Sequence, residues 1–425
     1  MKKALKVIAF VLALAMVFAF AACGNKETDT TTKPTDAANP TDAAPVEKGA
    51  YDDIKFGLIC LHDENSTYDN NFIMAAKEAQ AALGLRDDQV IIKTNVDESN
   101  ACYEAACDLV DQGCNIIMAD SFGHESYMKQ AAQEFTNVQF CHATGTSSKT
   151  AGIANFHNAF ATIYEGRFLA GVVAGLKLNA MIKEGKITED KAVIGYVAAF
   201  PYAEVKSGYT SFFLGARYIC PSATMKVVYT NSWFDIDLEK TAAENLINDG
   251  CVLISQHADS EGAPKACEAA GVPDVAYNID TSSIAPTTAL VSSRINWAPY
   301  YEMVIKAVAA GETFATDWIG TIATGSVELL DLSANCTDDA ASKVAEIKAK
   351  LEDGSLKVFD CSTFTVNGAA LTEYLADVED MGDFVPETNV ILTDDAGVTY
   401  FAESDEQFRS APYFDILIDG ITELG

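Results

Sequence analysis

Short apolar runs alternate with longer segments whose apolar residues recur three and four positions apart, from residue 54 to residue 312. The first run, 54–61, is followed by an amphipathic segment, 72–85, which closes at Gly84. Such alternation is typical of βαβ units with a parallel sheet. The pattern predicts further strands at 90–96, 115–120, 138–145, 192–197, 224–230, 251–256, 274–280 and 287–295. It predicts further helices at 101–114, 125–135, 158–182, 203–219, 238–250, 262–271 and 298–312.

The alternation restarts after the long helix predicted at 158–182, so the chain is predicted to form two lobes. We expect an α/β fold with two doubly wound parallel-sheet lobes joined by a hinge, with helices on both faces of each sheet. The expected boundaries are 51–156 with about 281–320 for lobe 1, 157–280 with about 321–360 for lobe 2, and an unassigned C-terminal extension, 361–425.

The N-terminal residues have the pattern of a bacterial lipoprotein signal. Lys2, Lys3 and Lys6 precede an apolar stretch at 7–20, and two alanines lead to Cys23. The apolar stretch is shorter than the about 20 residues that span a bilayer. We therefore expect a signal peptide at 1–22 and lipidation of Cys23, with a plain secretory signal or a helical anchor as the alternative.

The segment that follows, 23–50, is predicted to be a flexible linker. It is rich in Thr, Asp, Ala and Pro and has few large apolar residues, a composition that does not support a packed core. This organisation predicts an extracytoplasmic domain tethered to the cell membrane by its N-terminal lipid.

The 425-residue chain has 61 acidic and 29 basic residues and a net charge of −32. This balance disfavours binding to nucleic acid or to anionic lipid by charge. The spacings of Cys102, Cys107 and Cys114 match no zinc motif, so we expect no metal and no cofactor. Catalytic motifs such as G-x-S-x-G and H-E-x-x-H do not occur in the sequence, which disfavours the alternative of a secreted hydrolase.

Aromatic and carboxylate residues cluster just after the predicted strands, at the strand ends where open α/β sheets bind ligands. A loop that only connects elements favours Gly, Pro, Asn and Ser, so repeated rings in these loops predict a stacking site for a small planar ligand. The segment 62–69 is either part of that site or an ordinary solvated turn, and Trp233 with Phe234 is either part of it or a surface contact. The candidate residues are Tyr68, Asp69, Asp120, Phe122, Phe200, Trp233, His257, Asp259, Asp280 and Trp297.

Four segments, 66–72, 155–176, 194–216 and 249–272, resemble the basic membrane protein family, the lipid-anchored substrate-binding proteins of bacterial ABC transporters. The most specific parts are "EGRFLAG", from Glu165 to Gly171, and the spacing of Gly195, Gly208 and Gly215. The resemblance extends from Asp53 to about Leu332.

The resemblance implies two lobes of the type I periplasmic-binding-protein kind and a purine nucleoside or nucleobase as the ligand. It also implies ABC permease subunits as the partners and no enzymatic activity. Asp69, 120–122 and Phe200 fall on ligand-contacting segments of the family, and Asp280 falls on its ribose-binding Asp. The Lys that the family has after "LVSS" is missing, and Asn296 and Trp297 occupy that neighbourhood. A sugar or an amine therefore remains an alternative ligand.

Overall fold

The computed structural model describes residues 49–378, 385–404, 408 and 413–424. The predicted signal peptide, Cys23 and most of the linker lie outside these residues. No helix of the described ranges is both long enough and apolar enough to span a membrane.

Strands and helices alternate along most of the chain up to residue 352, except that the strand Ala289–Ile295 follows the strand Asp274–Tyr277 directly, and Val327–Leu329 follows Asp317–Gly320 directly. The strands are β1 (Phe56–Ile59), β2 (Val90–Lys93), β3 (Ile116–Ala119), β4 (Gln139–Ala143), β5 (Phe156–Ala161), β6 (Val193–Ala198), β7 (Thr224–Tyr229), β8 (Leu253–His257), β9 (Asp274–Tyr277), β10 (Ala289–Ile295), β11 (Asp317–Gly320), β12 (Val327–Leu329), β13 (Leu375–Ala376), β14 (Thr388–Asn389), β15 (Ile391–Thr393), β16 (Thr399–Phe401) and β17 (Ile421–Glu423). The helices are α1 (Thr67–Leu83), α2 (Asn100–Asp111), α3 (Glu125–Glu134), α4 (Ser148–Ala151), α5 (Ile163–Lys183), α6 (Ala203–Ile219), α7 (Ile236–Asn248), α8 (Gly262–Ala270), α9 (Ala298–Ala310) and α10 (Ala340–Glu352).

Two sheets form the two predicted lobes. The first has the order β11-β5-β4-β3-β1-β2 and is parallel throughout. The second has the order β12-β10-β9-β8-β6-β7-β17, and within it only the pair of β10 and β12 is antiparallel. The α/β class with parallel-sheet lobes is confirmed. The central strands are buried on both faces, which explains why they appear in the sequence as continuous apolar runs.

The strand assignment differs from the expected lobe boundaries at two places. Residues 289–295, expected in lobe 1, form β10 of the second sheet, where Ser292 pairs with Ala276 of β9. Residues 158–161, expected to begin a helix in lobe 2, belong to β5, which lies between β4 and β11 of the first sheet. A strand pattern in the sequence does not show which sheet the strand joins, because the pairing of its backbone groups is a long-range contact.

Three chain crossings connect the lobes, and hydrogen bonds tie them together. The chain passes between the sheets after β5, after β10 and between β11 and β12. Thr162 N donates to Gly320 O at 2.8 Å, and Asn296 N donates to Ser326 O at 2.8 Å. These bonds join all three crossings at the position expected for a hinge.

Helices α5 and α6 pack closely in the second lobe because glycines face the contact. A Cβ atom on Gly171 would lie 2.0 Å from Phe212 O, and one on Gly215 would lie 2.0 Å from Phe168 O. Only a residue without a side chain permits this approach. Gly171 and Gly215 therefore set the distance between these two helices.

The C-terminal extension packs on the second lobe. The ring of Phe414 is buried and stacks on Phe359 with centroids 4.9 Å apart, and it lies 4.8 Å from Phe401. The last strand, β17, then adds to the edge of the second sheet beside β7. The extension thus shares an aromatic cluster with Phe359 and completes a sheet, so it forms part of the folded domain.

Candidate functional site

A cavity of about 390 Å³ lies between the carboxyl ends of strands from both sheets. This volume is in the range of small-molecule sites. The cavity is lined by Leu61, His62, Tyr68, Asp69, Ser121, Phe122, Thr144 and Thr146 of the first lobe, and by Pro201, Tyr202, Ala203, Glu204, Trp233, His257, Asp259, Tyr277 and Asp415 on the opposite side. None of these described lining residues is Lys or Arg, whereas four are Asp or Glu.

The turn after β1 forms one wall of the cavity, because Ser66 and Asp69 fold it against the start of α1. Ser66 caps the helix by accepting a hydrogen bond from Asp69 N, and its Oγ donates to Asp69 Oδ2 at 2.5 Å. His62 N donates to Asp69 Oδ1 at 2.8 Å. Tyr68 OH donates to Asp120 O at 2.8 Å, which fixes its ring at the cavity.

A buried acidic cluster lies beneath this wall. The Sγ atom of Cys60 and one carboxyl oxygen each of Asp69 and Asp120 all lie within 4.8 Å of one another. Burial raises the pKa of Asp120 well above its usual range, and the Asp69 carboxylate raises it further. Burial alone would raise the pKa of Asp69, but hydrogen bonds from His62 and Ser66 lower it overall. These opposite directions favour a protonated Asp120 beside an ionised Asp69, which limits the repulsion between two neighbouring buried carboxyl groups.

Aromatic rings of the second lobe form the opposite wall. Phe200 stacks on Tyr202 with centroids 5.3 Å apart and meets Trp233 edge-on at 5.0 Å. Trp233 and Tyr202 line the cavity, whereas Phe200 supports them from behind. Phe122, from the first lobe, lies 6.0 Å from Tyr202. The two exposed rings face each other across the cleft.

The end of β8 brings a second group of polar side chains to the cavity. His257 Nε2 lies 3.0 Å from Glu204 Oε1. Burial lowers the pKa of His257, although the charge of Glu204 acts in the opposite direction. Burial raises the pKa of Asp259 well above its usual range.

Arg167 supports this group from below. It is buried, its Nη1 donates to Gln256 O at 2.8 Å, and its guanidinium carbon lies 3.5 Å from the centre of the Tyr277 ring. The cation–π contact holds Tyr277 at the cavity wall.

The lobes touch each other beside the cavity. Thr67 N donates to Asp259 O at 2.8 Å, and the rings of His62 and Phe234 lie 5.4 Å apart. A backbone hydrogen bond between residues of opposite lobes requires a closed cleft, so the described arrangement is a closed one.

The structure brings most, but not all, of the predicted residues together. Tyr68, Asp69, Phe122, Trp233, His257 and Asp259 line the cavity. Asp280 is exposed and accepts hydrogen bonds from Ser282, so it does not reach the cavity. Trp297 is fully buried and stacks on Phe72 at 4.4 Å, so its ring belongs to the core of the first lobe.

Several lining residues were not predicted. Tyr202 and Glu204 occur in the aromatic loop after β6, next to the predicted Phe200, so a local signal was present. Tyr277 occurs inside a predicted strand, where a ring is ordinarily a core residue. Asp415 occurs in the unassigned extension and had no local signal.

The family comparison matches most of the folded domain. A family model described as "ABC transporter substrate-binding protein PnrA-like", or Bmp, matches residues 59–358. The match ends before the C-terminal extension.

Individual relatives agree with this match. A purine-binding protein of Brucella abortus is 32% identical over 314 residues, which cover 73% of this chain and 84% of the relative. A Haloferax volcanii protein named as an ABC transporter glucose-binding protein is 31% identical over 250 residues, covering 59% of this chain and 60% of the relative. The crystal structure of an ABC transporter solute-binding protein from Aeropyrum pernix superposes with a TM-score of 0.60 at 16% identity, covering 72% of this chain and 93% of that one.

Proposed function

Because the chain belongs to the Bmp family of PnrA-like ABC transporter substrate-binding proteins, we propose that it captures a purine, as a nucleobase or a nucleoside, and delivers it to a membrane permease. The observation that carries this proposal is the composition of the cavity wall. It combines aromatic rings with carboxylates and has no described Lys or Arg.

Each part of that wall suits a purine. The faces of Trp233, Tyr202 and Tyr277 offer stacking and apolar burial to a flat ring. Asp69, Glu204 and Asp259 offer oxygen acceptors to N–H groups on its edge or to ribose hydroxyls. An anionic ligand is disfavoured, since four carboxyl groups and no described Lys or Arg line the cavity. The purine-binding relative supports the same ligand class.

A sugar is the second candidate, and the glucose-binding relative favours it. Hydroxyl groups can also donate to carboxylates, and aromatic rings can cover the apolar face of a sugar ring. The absence of Asp280 from the cavity removes the residue that the family resemblance implies for ribose, so a free base and a nucleoside must be compared directly.

Isothermal titration calorimetry with the domain from residue 49 tests the proposal. Adenine, guanine, hypoxanthine, adenosine and guanosine are the purine probes, and D-glucose is the competitor class. We expect saturable binding of at least one purine and none of glucose. Binding of glucose alone overturns the proposal. Recovery of the purine unchanged after long incubation distinguishes a receptor from a hydrolase.

We also propose that the protein is anchored outside the cytoplasm by a lipid on Cys23. The lysines, apolar stretch and small residues before Cys23 support this proposal. Metabolic labelling with a radioactive fatty acid should label the full chain and leave Cys23→Ala unlabelled. Equal labelling of both proteins would contradict the anchor.

A further inference from the structure

The C-terminal extension contributes to the cavity although the family match ends at residue 358. Asp415 lines the cavity on the same side as Tyr202 and Glu204. No motif in the sequence assigned this segment a role. Its carboxylate is therefore a feature of this chain that the family match does not cover.

The backbone on both sides of Asp415 is firmly held. Phe414 is buried in the aromatic cluster with Phe359 and Phe401. Ile418 is buried, and Ile421 then pairs with Met225 as β17 joins the second sheet. A residue fixed by packing before it and by a strand after it presents its side chain in one defined place.

Lys206 orients the carboxylate from the neighbouring helix α6. Its Nζ lies 3.1 Å from Asp415 Oδ1 and 3.6 Å from Glu423 Oε1. Glu423 Oε1 also accepts hydrogen bonds from Tyr209 OH at 2.7 Å and Tyr229 OH at 2.6 Å. Lys206 is thus anchored to β17 as well as to Asp415, and it remains paired when Asp415 is replaced.

The second oxygen of Asp415, Oδ2, has no hydrogen bond or ion pair with another described residue, and the side chain is 55% exposed at the cavity. We propose that Asp415 is a specificity-determining residue that accepts a hydrogen bond from the ligand at the mouth of the cleft. This inference rests on the proposed function. The group that it recognises is an N–H or O–H donor, either an exocyclic amine of the purine or a ribose hydroxyl.

Calorimetry on Asp415→Ala tests the proposal with matched probes. Guanine and hypoxanthine differ by one exocyclic amine, and adenosine and adenine differ by the ribose. We expect Asp415→Ala to weaken binding about tenfold for one member of a pair and to leave its partner within about twofold. Asp395→Ala is the control, since Asp395 is an exposed carboxylate of the same extension outside the cavity. Equal affinities of wild type and Asp415→Ala for every bound probe overturn the proposal.

The same design separates this proposal from the proposed function. If the wild type binds no purine, the proposed function fails, and D-glucose and putrescine become the probes for the same comparison of variants.

A ligand-free measurement adds a second check. A bimane label on Asp415→Cys, in a domain whose partly exposed Cys107 and Cys336 are changed to Ser, should be quenched by Trp233, since both positions line one cavity, and Trp233→Phe should restore the emission. Emission that does not respond to Trp233→Phe overturns the proposal whatever ligand is found.

Discussion

The Nε2 atom of His257 lies 3.0 Å from the Oε1 atom of Glu204, joining the end of β8 to the first turn of α6 at the cavity wall. The contact brings a buried imidazole and a carboxylate to one side of the ligand space. Burial lowers the pKa of His257, while the charge and the hydrogen bond of Glu204 raise it. The balance favours a neutral imidazole at pH 7, which can donate to Glu204 without placing a buried positive charge there.

Glu204→Ala should lower the pKa of His257 further, because it removes the negative charge that favours the imidazolium. NMR titration of the imidazole protons measures this directly, and the chain has only 5 histidines to assign. Glu78→Ala, at an exposed position on α1, is the control and should leave the titration of His257 unchanged. A raised or unaltered His257 pKa in Glu204→Ala would contradict the contact.

Trp233→Ala and Trp297→Ala should separate binding from stability. Trp233 lines the cavity and is half-buried, so its loss should weaken purine binding about tenfold, or about 1.4 kcal/mol, with little change in melting temperature. Trp297 is fully buried against Phe72, so its loss should lower the free energy of unfolding by about 3–5 kcal/mol. Calorimetry and urea unfolding measure the two effects, and the reverse pattern would refute this division of roles.

Asp259→Asn should weaken ligand binding, whereas Asp280→Asn should not. Asp259 is buried at the cavity, where Asn would replace a carboxyl oxygen, which can accept a hydrogen bond, with an NH2 group that only donates. Asp280 is exposed and accepts hydrogen bonds only from Ser282 among the described contacts. We expect a loss of about tenfold in the first variant and less than twofold in the second, by calorimetry. A larger loss of affinity in Asp280→Asn would indicate that Asp280 contacts the ligand.

The contribution of Glu239 to the free energy of unfolding should decrease as the pH rises from about 4 to about 7. Burial raises its pKa to about 7 in the folded state, while an unfolded Glu titrates near about 4.3. Between these pH values Glu239 keeps a proton in the folded state that it has lost in the unfolded state. The stabilisation that this proton gives the folded state therefore disappears as the pH increases.

Glu239→Gln removes this titration. The stability of the variant relative to wild type should therefore increase by about 1–3 kcal/mol between pH 5 and pH 8. Urea unfolding at several pH values measures the difference, with the exposed Glu78→Gln as the control. Parallel pH profiles for wild type and Glu239→Gln would show that Glu239 does not titrate in this range.

Gly215→Ala should destabilise the second lobe, since its Cβ would lie 2.0 Å from the backbone oxygen of Phe168. The helices α5 and α6 would have to separate, at a cost of about 1–3 kcal/mol. Gly166→Ala is the control on α5, because its Cβ would meet a side-chain methyl of Val327 at 2.9 Å, which can move. Denaturant midpoints that are equal in the two variants would contradict the role of Gly215.

The aromatic and acidic loops after β1, β6, β7 and β8 could be located from the sequence. In each of them a predicted strand ends and polar or aromatic residues follow at once, and parallel strands bring these ends to one edge. This is why Tyr68, Asp69, Trp233, His257 and Asp259 were predicted together and lie around one cavity. The prediction needed only the direction of each strand.

The same argument did not separate Trp297 or Asp280 from the site. Both follow strand ends, but the ring of Trp297 packs on Phe72, which is more than two hundred positions away in the chain, and Asp280 faces solvent. Which way a side chain turns after a strand depends on the volume that distant elements leave for it.

The sequence by itself determined most of the strands and helices up to α9, the two-lobe α/β class and the edge of each sheet that carries the chemistry, but not β5, β11 or β12. These follow from periodicity and turn residues that act within about ten positions. Only the tertiary structure decided that β10 belongs to the second sheet and that Arg167 supports Tyr277. It also decided that Asp415, in the C-terminal extension, lines the cavity and contacts Lys206 there. Those contacts join residues far apart in sequence, and their geometry is set by packing between elements, which no local pattern specifies.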